Sequence, residues 1–473
     1  MRIIYDYEDL YAAKKTYGQD INTSLGNAAD PIDADQKLQE DALMSYVASV
    51  NYSYDDKYYA SFSFRRDGSS RLSPDTRWGN FWSLSASWRL SQERFMQPLK
   101  SVLSDLKLRA SYGVNGNLPS SYYGYQSTYT TGAFYSGKPS PWESTLGNEE
   151  LTWEKNYALN LGLDIGLFSR VNVSLDWYTR TTKDLLMSKQ LNSISGFSSL
   201  LTNVGQMRNT GVELEVRSNN IKTKDFSWTT AFNLSHNKNK ILKLADLPWF
   251  VDGRYVRKEG YPFNTIYLRE YAGVDPETGS ALYYDNQQDE NGNYTKNKVT
   301  DPGQASPIPL KDITPTISGG FMNTFNYKFI DLSFNLSYSF GGYSYDNASY
   351  ILQDDGYSVI SNKSTEQRRR WQKPGDITDV PRFVYGNKKG GNYNSSRAIH
   401  STDHIRLKSL ILGLNAPKAW LQKLGIGNAR IYFSGTNLLT WAAYDQYDPE
   451  MSGVVGFYTP PLKTYAFGLE LKF

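Results

Sequence analysis

The 473-residue chain contains no cysteine. Disulfides, available wherever the compartment is oxidising, are therefore excluded as a source of stability. No apolar run approaches the ~18 residues of a membrane-spanning helix, so a helical membrane protein is excluded. Hydrophobic content is only 39% and mean hydropathy is −0.56. A β-barrel survives both facts, because half of every barrel strand is polar. Charge of one sign is scarce too. A net +3 is too near balance to point to nucleic acid. No nucleophile–base pair, phosphate loop or nucleotide fingerprint appears, so neither an enzyme nor a cofactor is expected. The opening Met1-Arg-Ile-Ile-Tyr-Asp6 lacks the basic head and apolar core of a secretory signal.

Aromatic residues and period two are what the chain has in quantity. It carries 37 Tyr, 21 Phe and 11 Trp. From Trp153 the odd positions run Trp153, Lys155, Tyr157, Leu159, Leu161, Leu163, Ile165; the even ones run Glu154, Asn156, Ala158, Asn160, Gly162, Asp164. After a turn at 166–169, Val171, Val173, Leu175 and Trp177 alternate with Arg170, Asn172, Ser174 and Asp176. Successive side chains on a strand point to opposite faces, so each arm is a strand with one greasy and one polar face. Each arm is long enough to cross a bilayer, which takes about 9–11 tilted residues. The pattern recurs about thirteen times between Met44 and Phe473. Connections alternate between short (55–57, 91–104, 166–169, 218–225, 327–329, 416–427) and long, the sorting expected of tight periplasmic turns and long outer loops. The expected fold is all-β, an antiparallel transmembrane β-barrel. The competing reading is a secreted all-β carbohydrate-binding or glycan-degrading module.

One stretch breaks phase. His404, Arg406 and Lys408 share parity with Leu410, Leu412 and Leu414. A basic residue facing mid-bilayer lipid costs about 2–4 kcal/mol. A β-bulge near Lys408–Ser409 is therefore expected to switch the faces.

Several short motifs then resemble one family. They are Arg65-Arg-Asp-Gly-Ser-Ser70 with Arg77-Trp-Gly79, Leu106-Lys-Leu-Arg-Ala-Ser-Tyr-Gly113, Trp153-Glu-Lys155, Asn209-Thr-Gly-Val-Glu213 and Gly319-Gly-Phe-Met-Asn323. Arg370-Trp371 with Pro374-Gly-Asp376, Arg406-Leu-Lys-Ser409 and Asp448-Pro-Glu450 follow in order. Together they resemble the SusC/RagA class of TonB-linked outer-membrane transporters. The resemblance implies location in a Gram-negative (Bacteroidota-type) outer membrane and import of oligosaccharides or peptides. It implies three partners: a SusD-like surface lipoprotein, TonB–ExbB–ExbD acting through an N-terminal region, and outer-membrane lipid. Such transporters have about 22 strands and a plug. The chain is therefore expected to be a C-terminal piece. Residues 1–41, which show no period, would be an extracellular loop or irregular segment. Residues 42–473 would be the C-terminal part of the barrel, without the plug. Tyr465, Phe467, Leu469, Leu471 and Phe473 resemble the signal read by the outer-membrane assembly machinery; an ordinary half-buried strand is the alternative.

The long loops are expected to form the ligand mouth. Tyr122, Tyr123, Tyr125, Tyr129 and Trp142 cluster in one, with Phe134 and Tyr135; Trp249 and Phe250 lie in another, with Tyr255. Aromatic faces suit sugar rings or peptide side chains at small entropy cost; loop packing and an interfacial girdle are the competing reading. No metal site is expected. Gln287, Asp289, Asn291 and Gly292 imitate the start of a calcium loop, but Lys298 stands where its bidentate Glu belongs, and a solvated turn is favoured. For Asp445, Asp448 and Glu450 a polar loop is favoured over a cation site, and His400 and His404 read as structural. The Arg368-Arg-Arg370 run is left between a contact to a partner or to lipopolysaccharide phosphates and a solvated face.

Overall fold

A computed structural model describes residues 2–14, 31–136, 138–244, 247–358, 360–387, 394–417, 421 and 425–473. Fourteen strands form one large sheet in chain order. They are β1 (Arg2–Lys14), β2 (Pro31–Tyr54), β3 (Tyr58–Ser69), β4 (Trp78–Arg89), β5 (Leu103–Asn117), β6 (Glu154–Leu167) and β7 (Val171–Lys183). The rest are β8 (Gln206–Lys222), β9 (Phe226–Lys243), β10 (Ile317–Tyr327), β11 (Ile330–Phe340), β12 (His404–Asn415), β13 (Asn428–Ala442) and β14 (Thr464–Lys472). By compactness the chain divides into two units. One holds 1–88, 110–160 and 180–207; the other holds 89–109, 161–179 and 208–473. Five strands, β4 to β8, contribute residues to both.

In the first unit the two faces of the sheet separate as period two requires. Val50 pairs with Phe62 and Phe62 with Leu84, while Ala48 pairs with Phe64 and Phe64 with Trp82. Val50, Phe62 and Leu84 are 65%, 45% and 54% exposed. Rings continue the row at Tyr58, which stacks on Trp88 at 6.2 Å, and at Trp82, edge-on to Tyr112 at 5.7 Å. The other face is hydroxylic: Ser63 bonds Ser83 at 2.7 Å, and Ser61 donates to Asn51 at 2.6 Å. A sheet in water would bury the row Val50–Phe62–Leu84; here it stands open, as on a lipid-facing strand.

The apolar core of this unit lies beside the long connections. Leu72, Phe81, Val114, Leu151 and Trp153 cluster there. Phe81 meets Trp153 edge-on at 5.2 Å, and Trp153 Nε1 donates to the Arg77 carbonyl at 2.8 Å. Trp153 therefore leaves the greasy row to which its parity assigned it. It precedes the first residue of β6, and loop packing rather than strand phase sets its direction.

The Arg65–Ser70 motif ends β3. Gly68 pairs with Trp78, and a Cβ on Gly68 would sit 2.8 Å from the Trp78 ring. Arg66 lies over that ring at 5.3 Å, and Arg65 pairs with the buried Asp67 at 2.6 Å. The motif is thus a packing device, with glycine making room for the indole.

The second unit carries β9–β14 as an antiparallel meander. Its greasy row runs through Leu332, Phe334 and Leu336 of β11, paired with Leu412, Leu410 and Leu407 of β12. The expected bulge is present. Register shifts between Leu407 and Ser409 against both neighbours, leaving Lys408 unpaired. Ile405 and Leu407 then share a face with Leu410, Leu412 and Leu414. Arg406 lies opposite Ser337, on the polar face.

A guanidinium clamp crosses β5, β6 and β7 in the same unit. Arg109 reaches Asp164 through Nε and Nη2 at 2.8 and 2.9 Å, and Asp176 through Nη1 and Nη2 at 2.9 Å each. Ser174 donates to Asp164 at 2.7 Å. A Cβ on Gly162 would meet Arg109 Cζ at 2.5 Å, so only glycine lets the planar fork lie flat. Gly162→Val should cost about 1–3 kcal/mol by forcing the fork off its partners. Denaturant unfolding of the protein in detergent checks this; an unchanged midpoint would refute it.

Three expectations need correction. Residues 2–14 and 31–41 are strand, where an irregular segment was expected. Acids and amides occupy both parities there (Asp33, Asp35 and Gln39; Gln36 and Glu40), so neither face gives an apolar signal. The large sheet has fourteen strands rather than about thirteen for the same reason. Finally, the long connection 240–312, expected only as an outer loop, holds regular structure of its own. It contains a four-stranded sheet (Trp249–Asp252, Tyr255–Lys258, Thr265–Leu268, Ile308–Asp312) and a three-stranded one (Tyr271–Val274, Ala281–Tyr284, Lys298–Val299). Strands of two to five residues are too short for a period to be read.

Candidate functional site

The aromatic residues singled out in the sequence fall into two groups, one in each unit. In the first unit, Arg71 ties the group to the sheet. Its Nε donates to Asp41 at 2.9 Å, its Nη1 to the Pro119 carbonyl at 3.2 Å, and its guanidinium lies 4.1 Å from the Tyr122 ring. Tyr122 and Tyr123 are tilted neighbours at 6.3 Å, and the Tyr123 hydroxyl accepts from the Glu40 amide at 3.2 Å. Tyr125 accepts from Gln126 Nε2 at 2.8 Å. These three rings are partly spent on loop packing. Tyr129 and Trp142 are not: they project from a hairpin of Thr128–Tyr135 and Lys138–Thr145, 67% and 59% exposed. The side chains of Phe134 and Tyr135 lie outside the described residues.

In the second unit Trp249 and Tyr267 form an aromatic corner, 6.0 Å apart and tilted by 48°. They line a cavity of about 520 Å³ with Val256, Lys258, Tyr294, Pro309 and the amides Asn286, Gln287 and Gln288. Its floor is the four-stranded sheet, in which Trp249 pairs with Lys258 and Tyr267 with Pro309. Burial pushes the Tyr267 hydroxyl above its ordinary pKa, so the phenol stays a donor. Phe250 is half-buried and does not line the cavity; Tyr255 packs beside Ile266 and Tyr345.

A second cavity, about 590 Å³, sits where two of the short motifs meet. Arg406 on β12 reaches Asp448 at 2.7 Å and Glu450 at 2.9 Å, while Lys408, the bulge residue, reaches Glu450 at 2.5 Å. Tyr444, Tyr447, Phe457 and Tyr458 contribute to the walls. Asp448 and Glu450 are therefore matched by basic residues, while Asp445 accepts from Gln446 Nε2 at 2.8 Å. Among the described residues no group of acids and histidines is arranged to hold a metal. Asp289 accepts from the amides of Asn291 and Asn293 at 2.9 and 2.8 Å, closing a turn. His400 stacks flat on Tyr444 at 3.7 Å, and burial holds its pKa below the ordinary value. His404 Nδ1 lies 2.8 Å from the Thr402 carbonyl. In the Arg368–Arg370 run, Arg369 pairs with Glu366 at 2.7 Å and Arg370 donates to the Gln367 carbonyl.

Lys258, Tyr267 and Tyr294 could not be united by spacing, because short strands and, for Tyr294, an isolated bridge to Gln288 bring them together. The Arg406–Asp448 contact was closer to hand: both motifs were visible, 42 residues apart, and opposite charge was the available clue.

A family model described as TonB dependent receptor-like, beta-barrel, matches residues 4–266. The chain belongs to the TonB-dependent receptor family. Relatives of this family include TonB-dependent receptor P3 of Formosa agariphila, 33% identical over 92% of this chain and 46% of its own length. TonB-dependent receptor SusC of Bacteroides thetaiotaomicron is 31% identical over 93% of this chain and 45% of its own. Among solved structures, that of the RagAB peptide transporter superposes with a TM-score of 0.90 at 30% identity, over 100% of this chain and 52% of that one. The SusC/RagA resemblance is thus confirmed. The chain spans about half the length of the relatives it matches.

Proposed function

We propose that this chain supplies barrel wall and ligand-facing loops to a TonB-dependent importer of oligosaccharides or peptides in the outer membrane, with a SusD-type surface lipoprotein seated over the long connections. The supporting observation is the whole-chain likeness to the RagAB peptide transporter. The open apolar row of β2–β4 adds to it, since a secreted module would have to bury that row. The hairpin carrying Tyr129 and Trp142 offers the most exposed rings to ligand or lipoprotein. Energy from TonB would enter through regions of the transporter outside this chain.

Uptake of labelled oligosaccharide and peptide by cells tests the reading. Uptake should vanish when TonB is inactivated and fall at least tenfold when Tyr129 and Trp142 are both changed to alanine. Uptake that persists without TonB would overturn the reading. Co-purification should recover a surface lipoprotein in stoichiometric amount; a receptor isolated alone from native membranes would remove the lid from the proposal.

A further inference from the structure

The cavity under Trp249 has a one-sided polar lining. Lys258 is the charged side chain among its lining residues, and no carboxylate is one of them. The Lys258 ammonium lies 5.1 Å from the Tyr261 ring, and no acid lies within ion-pair distance of it among the described residues. Acids of the surrounding segment have partners of their own, and Glu259, next in sequence, accepts from the Leu244 amide at 2.8 Å. Glu270 is paired with Lys296, Asp252 with Arg257, and Asp285 accepts from Thr295 and Asn297. The phenols of Tyr267 and Tyr294, together with the Gln288 amide, add neutral donors on the same walls. The Trp249–Tyr267 corner supplies two aromatic faces.

A half-buried ammonium without a counter-ion favours an anion, and a phenol hydroxyl beside that anion can donate to it. The aromatic corner favours something flat or apolar next to that anion. We propose that this cavity is a binding subsite for a carboxylate carried on a ring or beside an apolar side chain. A uronate residue of an oligosaccharide and the C-terminus of a peptide share that chemistry. Lys258 holds the carboxylate, Tyr267 and Tyr294 donate to it, and Trp249 covers the adjoining face. The volume, about 520 Å³, accommodates a short oligomer rather than a single small ion. The inference rests on the import reading for the source of its ligand, but binding itself needs neither TonB nor the lipoprotein.

The test is calorimetric titration of the detergent-purified full-length transporter with two matched pairs. Digalacturonic acid is compared with its methyl ester, and the tripeptide Ala-Ala-Phe with its C-terminal amide. At least one acid should bind ten times more tightly than its neutral partner, and the pair that shows this identifies the source. Lys258→Met should abolish the preference, Lys258→Arg should keep it, and Trp249→Ala should weaken acid and neutral forms alike. Equal affinity within both pairs, a preference that survives Lys258→Met, or no binding of either acid would each overturn the assignment. Because uptake is measured separately, a negative titration with TonB-dependent uptake intact removes this subsite and leaves import standing.

Discussion

Arg406→Ala should lower the stability of the folded protein by about 3–5 kcal/mol, the cost of leaving a buried acid without its partner. Arg406 is 2% exposed. It reaches Asp448 and Glu450 through separate nitrogens, and its Nε donates to the Thr440 hydroxyl at 3.0 Å. Glu450 would keep Lys408. Asp448, whose side chain is 7% exposed, would keep no cation among the described residues. Most of the loss therefore falls on one carboxylate, and the paired change Arg406→Met with Asp448→Asn should recover much of it. Guanidinium unfolding in micelles reads both. A single variant as stable as its parent would show that the ion pair sits in water rather than in a closed wall.

The second large effect tests the sidedness of the sheet. Leu84 stands near the middle of β4, 54% exposed in the row with Phe62. Ser85, the next residue, pairs with Ser61 on the hydroxylic face. In a bilayer Leu84→Arg should cost about 2–4 kcal/mol, whereas Ser85→Arg should cost less than about 1 kcal/mol. Refolding into lipid vesicles with denaturant titration measures the difference. Equal costs, or the reverse order, would mean that the greasy row does not meet lipid.

The membrane-crossing part of this fold could be read from the sequence because a barrel strand writes its environment residue by residue. Tyr58, Phe62 and Phe64 against Ser61 and Ser63 state both faces of β3 without any neighbour. The phase error at Lys408 was legible on the same basis, since only a bulge reconciles Arg406 with Leu410. Where a strand leaves the apolar zone the signal ends. Ser235 to Lys240 continue β9 with polar residues on both faces, so the strand runs well past the point where its period fades. The loop sheets lay beyond such reasoning. Trp249, Lys258 and Tyr267 converge through pairings of four residues or fewer, and no local preference encodes which of many short apolar runs will meet.

The unpaired Lys408 has one more consequence. A ribbon with one flank in oil cannot ordinarily gain or lose a single residue, because every side chain beyond the change would turn to the wrong medium. In β12 that slack is already present. Removing Lys408 alone would join Ile405 and Leu407 to Leu410 and Leu412 in unbroken alternation, at the expense of one ion pair with Glu450. This ribbon can therefore tolerate a one-residue change in length, so variation in span length among related chains should concentrate at this position.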